Sequence, residues 1–275
     1  LEKNFKNSII KETAETRYEM ETVLITGASS GIGCEFSKLF AEKGYNLVIT
    51  ARREDKLEEI KKMYPENKID IIACDLGTET GARYLCEEIK KRNIKIDILI
   101  NNAGFGLFGE FFETDIEKER KMIDLNVKAL IELSKYFLKE MLERNSGKIL
   151  NVASIAAFQP GPYMSVYYGS KAFVLSFTEA VRNEIRKTGV SMSALCPGPV
   201  ETEFEKSSEL TKSKLFSKLK PVTAKKVAYA GYKGLMKNKA VIIPGFLNRF
   251  VVTAGVFVPT GIKVNMARKI QEKKK

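Results

Sequence analysis

The chain has 275 residues, 44% of them hydrophobic, enough for one α/β domain of ordinary size with a full core. It contains no histidine, which excludes histidine-based triads and histidine metal clusters and leaves any proton chemistry to other residue types. The formal charge of +12 is uneven: residues 205–275 carry 17 Lys+Arg against 3 Asp+Glu, a net +14, leaving −2 for residues 1–204, so a nucleic-acid partner is not expected of the body.

The four cysteines, Cys34, Cys74, Cys86 and Cys196, form no CxxC pair and read as buried thiols of a reducing cytoplasm, with neither a zinc site nor a disulfide framework. There is no apolar run of about 18 residues and no charged-apolar-small leader, so a cytoplasmic protein is expected.

Residues 1–19 are polar with little periodicity; they are either a native extension or a segment ahead of a natural start at Met20. A domain is expected over 20–245, with strands at 22–26, 46–50, 69–73, 97–100, 147–152 and 190–195. Helices are expected at 32–43, 53–63, 79–92, 115–143 and 165–187. Almost wholly apolar strands alternating with helices of ten or more residues are the pattern of a doubly wound parallel sheet flanked by helices, an α/β fold.

After the first strand comes "TGASSGIG", Thr26 to Gly33, opening a helix. Gly27, Gly31 and Gly33 let the backbone turn and approach a pyrophosphate at free helix N-terminal amides, so a dinucleotide is expected. The second strand ends "VITARRED", with Ala51 where an acid would bond the ribose of NAD. Arg52 and Arg53 follow, and guanidinium groups there suit the 2′-phosphate of NADP(H). Asp75, after the third strand, is a candidate for the adenine amino group or a cap. "NNAG", Asn101 to Gly104, follows the fourth strand with small residues that let a cofactor lie close.

Farther on, Tyr167 and Tyr168 stand four and three residues before Lys171 in "SVYYGSK". A phenol needs a nearby ammonium to lower its pKa, and helical spacing brings both tyrosines within reach, so geometry alone does not choose between them. Residues 199–221, polar between two prolines, read as a lid. The segment 246–275, apolar and then basic, is expected to pack on the domain or on a second subunit, with a peripheral contact with anionic membrane as the alternative.

The ordered set Thr26-Gly27-xxx-Gly31-x-Gly33, Asn101 to Gly104, Asn126, Ser154, Tyr167-xxx-Lys171 and Pro197-Gly198 resembles the short-chain dehydrogenase/reductase family over about residues 21–202. The resemblance implies one Rossmann-type domain, hydride transfer between nicotinamide and a carbonyl or alcohol, and a catalytic set of Asn126, Ser154, Tyr167 and Lys171, with Tyr167 as the acid. It implies cofactor contacts at Gly27, Ser29, Ser30, Gly31, Ile32, Gly33, Arg52, Arg53, Asp75, Leu76, Asn102, Ala103, Gly104, Tyr167, Lys171, Pro197, Gly198, Val200 and Thr202, and a homo-oligomer. Phe105, Phe158, Tyr163, Val200 and Phe204 are expected to face a hydrophobic ketone or aldehyde. A reductase of carrier-bound 3-oxoacyl chains and a non-catalytic NADP-sensing or membrane-associated binding protein are the alternatives. The terminal segment departs from the carrier-protein reductases of the family.

Overall fold

The computed structural model describes residues 20–204, 208 and 221–272. Residues 1–19, with the question of where the native chain starts, lie outside them. Six expected strands form as β1 (Thr22–Thr26), β2 (Asn46–Thr50), β3 (Ile69–Ile71), β4 (Ile98–Asn101), β5 (Gly147–Val152) and β6 (Val190–Leu195). A short β9 (Val241–Ile242), too brief to leave a periodic signal, completes a fully parallel sheet in the order β3-β2-β1-β4-β5-β6-β9.

Five helical segments recur as expected: α1 (Gly31–Glu42), α2 (Glu54–Met63), α3 (Gly81–Lys91), a long interrupted helix over 116–143, and α6 (Ser165–Glu184). The interrupted one runs as α4 (Ile116–Ile123), a π-helical turn (Asp124–Ala129) and α5 (Leu130–Glu143). A further helix, α7 (Ala224–Met236), was not foreseen and is capped by the Thr223 hydroxyl. It packs beside α1, with Val227, Ala228 and Leu235 joining Phe36, Phe40, Ile25 and Leu195 in a core on one face of the sheet. On the other face Leu85, Ile89, Leu133, Phe137 and Met141 of α3 and α5 cover Leu24, Leu99 and Ile149. Both faces are thus sealed, which is why the strands read as nearly unbroken apolar runs.

The parallel order reverses between β1 and β4, whose carboxyl ends open a crevice where α/β sheets bind ligands. Below it a buried polar chain ties sheet to helices: Asn101 Nδ2 donates to Asn151 Oδ1 (2.9 Å) and Ser134 Oγ (3.0 Å), and Asn151 Nδ2 donates to Thr178 Oγ1 (3.0 Å). Most of the expected lid, residues 205–207 and 209–220, lies outside the described residues. Its two ends are clasped by a parallel pair, β7 (Val200–Glu201) with β8 (Val222–Thr223). Ser208 is buried against the loop after β4, accepting from Gly106 N through Oγ (3.1 Å) and from Phe108 N through its carbonyl (3.0 Å).

The terminal segment forms α8 (Phe246–Gly255) and α9 (Thr260–Gln271). Both lie on the domain, as expected, but α9 packs through buried Ala267 and Gln271, whereas α8 touches it through the Asn248 side and buries none of its residues. Two of the four thiols also depart from expectation, Cys34 and Cys74 being half-buried.

Candidate active site

At the β1 end, Gly27 and Gly31 adopt φ of +66° and +55°, conformations closed to most side chains. Thr26 and Asn102 brace this loop: Thr26 Oγ1 accepts from the amides of Asn102 (2.9 Å) and Ala103 (3.0 Å), and Asn102 Nδ2 donates to the carbonyl of Thr26 (2.9 Å). The "NN" of "NNAG" therefore supports the sheet and the loop, and the two asparagines act through structure rather than through smallness.

Whether the loop fits a dinucleotide can be tested on its own atoms. The N-terminus of α1 has no side-chain cap and no acid in its first turn, leaving its positive end for an anion. A Cβ on Gly31 would stand 3.0 Å from Thr202 Cγ2, and one on Gly104 would stand 2.9 Å from Asn126 Oδ1 and 3.4 Å from Lys171 Nζ. Glycine thus lets the loop pack against Thr202 and the turn after β4 pack against Asn126 and Lys171, and the uncapped helix N-terminus behind this loop fits the pyrophosphate of a dinucleotide. Ala51, Arg52 and Arg53 follow β2; Arg52 is exposed, and Arg53 Nη2 donates to Glu203 Oε2 (2.7 Å) and Ser29 Oγ (3.3 Å). Asp75 Oδ1 accepts from Gly77 N (2.9 Å), closing a turn rather than capping α3. Leu76 beside it is buried.

The catalytic candidates gather around the N-terminal part of α6 and the end of β5. Tyr167 and Lys171 share one face of α6 and are buried, while Ser154 lies just past β5. Ser154 Oγ accepts from Ala156 N (3.1 Å) and donates to the carbonyl of Pro197 (3.4 Å), and it also bonds the Tyr167 hydroxyl. Asn126 sits in the π turn, fixed to the Phe105 backbone by Nδ2 to O (2.9 Å) and by Phe105 N to Oδ1 (3.1 Å). A single wide turn inside an α-helix swings this one side chain inward without ending the helix.

The electrostatics differ from expectation. Burial pushes the Tyr167 phenol up to about 12, only partly opposed by the bond from Ser154. Burial lowers the Lys171 ammonium to about 8, partly opposed by Cys196. Lys171 Nζ donates to the carbonyl of Val152 (2.8 Å) and stands 5.8 Å from the Tyr167 ring centre, so in this state it does not lower the phenol. Tyr167 is therefore a neutral phenol at neutral pH.

Of the residues expected to face the substrate, Phe105, Tyr163 and Phe204 cluster with Tyr167. Val200 and Phe158 do not: Val200 is drawn into the main core by the β7–β8 pair, and Phe158 packs behind α6 with Ala153 and Val174. Leu107, Phe108 and Met164 join the cluster unforeseen, although "FGLFG" immediately after "NNAG" carried the signal. Tyr163 is a non-glycine residue at φ +66°, a strained conformation of the kind that gathers at functional sites. Tyr168 packs edge-on to the Tyr167 ring, 6.1 Å between centroids, within the same cluster, but its hydroxyl is taken up by Gln271 Nε2, from which it accepts at the end of α9. Arg268 of the same helix lies 5.8 Å over the Tyr163 ring. A surface recess lined by Ile116, Arg120, Ile123 and Val166 shares no residue with the catalytic set.

A parallel sheet with a glycine loop at its switch point, next to buried Tyr167 and Lys171 and half-buried Ser154, has the make-up of a nicotinamide-type oxidoreductase site. The chain belongs to the short-chain dehydrogenase family, which it matches over residues 21–213. It is 36% identical to an uncharacterised oxidoreductase of Staphylococcus saprophyticus over 66% of this chain and 79% of that protein. It is 34% identical to sulfoacetaldehyde reductase 2 of Chromohalobacter salexigens over 67% of this chain and 74% of that protein. A short-chain dehydrogenase of Sphingobium yanoikuyae, solved in complex with NADPH, has a TM-score of 0.78 and 28% identity, covering 86% of this chain and 93% of its own.

Proposed function

We propose that this oxidoreductase transfers hydride between NADP(H) and an apolar ketone or aldehyde, with Tyr167 as general acid in reduction and base in oxidation. The observation that carries the reading is Tyr167 itself: a buried, neutral phenol bonded to Ser154 and walled by Phe105, Tyr163 and Phe204. When bound, the reduced nicotinamide supplies the hydride. The carbonyl carbon gains that hydride and its oxygen becomes anionic, so a proton must arrive at the oxygen in the same event. Ser154 Oγ is placed to donate to that oxygen and hold it against the phenol, which gives up its proton to form the alcohol. Lys171 stands 5.8 Å from the phenol ring and borders Gly104 together with Asn126; the lysine, charged by the anionic cofactor, would stabilise the phenolate left behind. Arg52 and Arg53 read the 2′-phosphate, as the NADPH bound by the Sphingobium relative supports.

The domain limits of 20–245, the lid over the site, a homo-oligomer, and a cytoplasmic location with peripheral contact at an anionic membrane complete the proposal. A second reading, a short anionic aldehyde, is favoured by Arg268 over Tyr163 and by the substrate named for the Chromohalobacter relative. NADPH absorbance with aromatic ketones, steroids, long-chain aldehydes, acyl thioesters and sulfoacetaldehyde separates the readings. The proposal expects the highest kcat/KM among the apolar ketones and aldehydes; sulfoacetaldehyde above all of these overturns the apolar substrate in favour of the second reading.

A further inference from the structure

A surface helix ordinarily turns its apolar side to the core, and α8 is built the other way round. At about 100° per residue, Phe246, Leu247, Phe250, Val251 and Ala254 share one face. Phe246 is 84% exposed and Phe250 60%, and Phe257, just beyond the helix, is 85% exposed. The opposite side, Asn248, Val252 and Gly255, is partly covered by the domain. Asn248 fixes that orientation: its Nδ2 donates to the carbonyl of Pro244 (2.8 Å), and the side chain lies so close over Gly198 that a Cβ there would stand 2.6 Å from Nδ2.

The charge of the two terminal helices selects the partner. Among the described residues 246–272, Arg249, Lys263, Arg268 and Lys269 stand against one acid, Glu272. A second copy meeting the same face across a two-fold axis would set these cations against their equals. An anionic bilayer attracts them, by about 1 kcal/mol for each Lys or Arg near its surface. Ten residues of helix span only about 15 Å, and among the described residues no helix is long and apolar enough to cross a membrane. The fitting geometry is a helix lying in the interface plane, its aromatic face among the acyl chains and its cations at the headgroups.

We propose that α8 and Phe257 are a docking surface for anionic lipid, held there by Arg249, Lys263 and Lys269. Its covered side rests on Gly198, next to Pro197, whose carbonyl accepts from Ser154 Oγ. The surface therefore lies beside the Ser154 end of the cleft. Delivery of apolar substrate from the bilayer rests on the reading above; the docking itself does not.

The test is sedimentation of the full-length protein with vesicles of phosphatidylcholine alone or containing 30% phosphatidylglycerol, taken as about a third anionic lipid. The anionic vesicles should carry down at least about tenfold more protein, and both Phe250→Asp with Phe257→Asp and Arg249→Glu with Lys263→Glu should remove the difference. Turnover of a water-soluble substrate should stay within about twofold in both variants. Protein that stays in the supernatant with anionic vesicles overturns the docking, as does a dimer that Phe250→Asp dissociates in the absence of lipid. Protein that sediments but reduces no apolar carbonyl sustains the docking while refuting the apolar substrate.

Discussion

Lys171 shows how far a single residue's burial governs this site. Its ammonium, buried and held by one carbonyl, sits at about 8, and the phenol beside it at about 12. A lysine whose pKa is lowered from 10.5 is mostly neutral above pH 8 in the free protein. An anionic dinucleotide at the glycine loop favours the charged form, raises that pKa and takes up a proton. Calorimetry of NADPH binding at pH 8.5 in buffers of different ionisation enthalpy should show net proton uptake, abolished in Lys171→Met. No buffer dependence would mean that the lysine is already charged before the cofactor arrives. Spacing in the sequence placed Tyr167 beside Lys171, and the structure keeps them on one face of α6. Spacing does not encode the depth at which they lie, so the inverted shift of the phenol was not legible.

At the scale of elements, the six main strands and the main helices were readable because apolar runs and 3.6-residue periodicity are dense signals. What escaped reading was geometry made by one or two residues: the π turn that aims Asn126, the two-residue strand β9, and the β7–β8 pair that draws Val200 into the core. The most consequential unread contact joins the N-terminus of α2 to the base of the lid, where Arg53 meets Glu203 at 2.7 Å. Nothing in the sequence pairs residues 150 apart. The Arg53 guanidinium holds the Glu203 carboxyl below its usual range, but both side chains are substantially exposed, at 43% and 59%, so the pair is weak. On the proposed reading, in which Arg53 binds the cofactor 2′-phosphate, that phosphate takes Arg53 from Glu203. Glu203→Gln should therefore tighten binding of NADPH and of 2′,5′-ADP by about two- to fivefold and leave NADH unchanged. Fluorescence titration of the three ligands checks this. Equal tightening of NADH would show that Glu203 repels the pyrophosphate rather than competing for the arginine.

Taken whole, the molecule divides by charge as its sequence does, a nearly neutral body carrying the chemistry and a basic end carrying exposed apolar surface. The end was legible as apolar and basic, but which part would pack was not, because the contacts that fasten α9 include Gln271 to Tyr168, 103 residues away, and Arg268 over Tyr163. That contact also explains the adjacent tyrosines of "SVYYGSK": one faces the site and its neighbour holds the last helix. The claim that most of the account rests on is that Tyr167 alone gives the proton, and steady-state NADPH oxidation with the best carbonyl of the panel tests it most directly. Tyr167→Phe should lower kcat by at least about a hundredfold with NADPH affinity nearly unchanged, and Tyr168→Phe should stay within about threefold of the parent. Full turnover by Tyr167→Phe, or a larger loss in Tyr168→Phe, would contradict it.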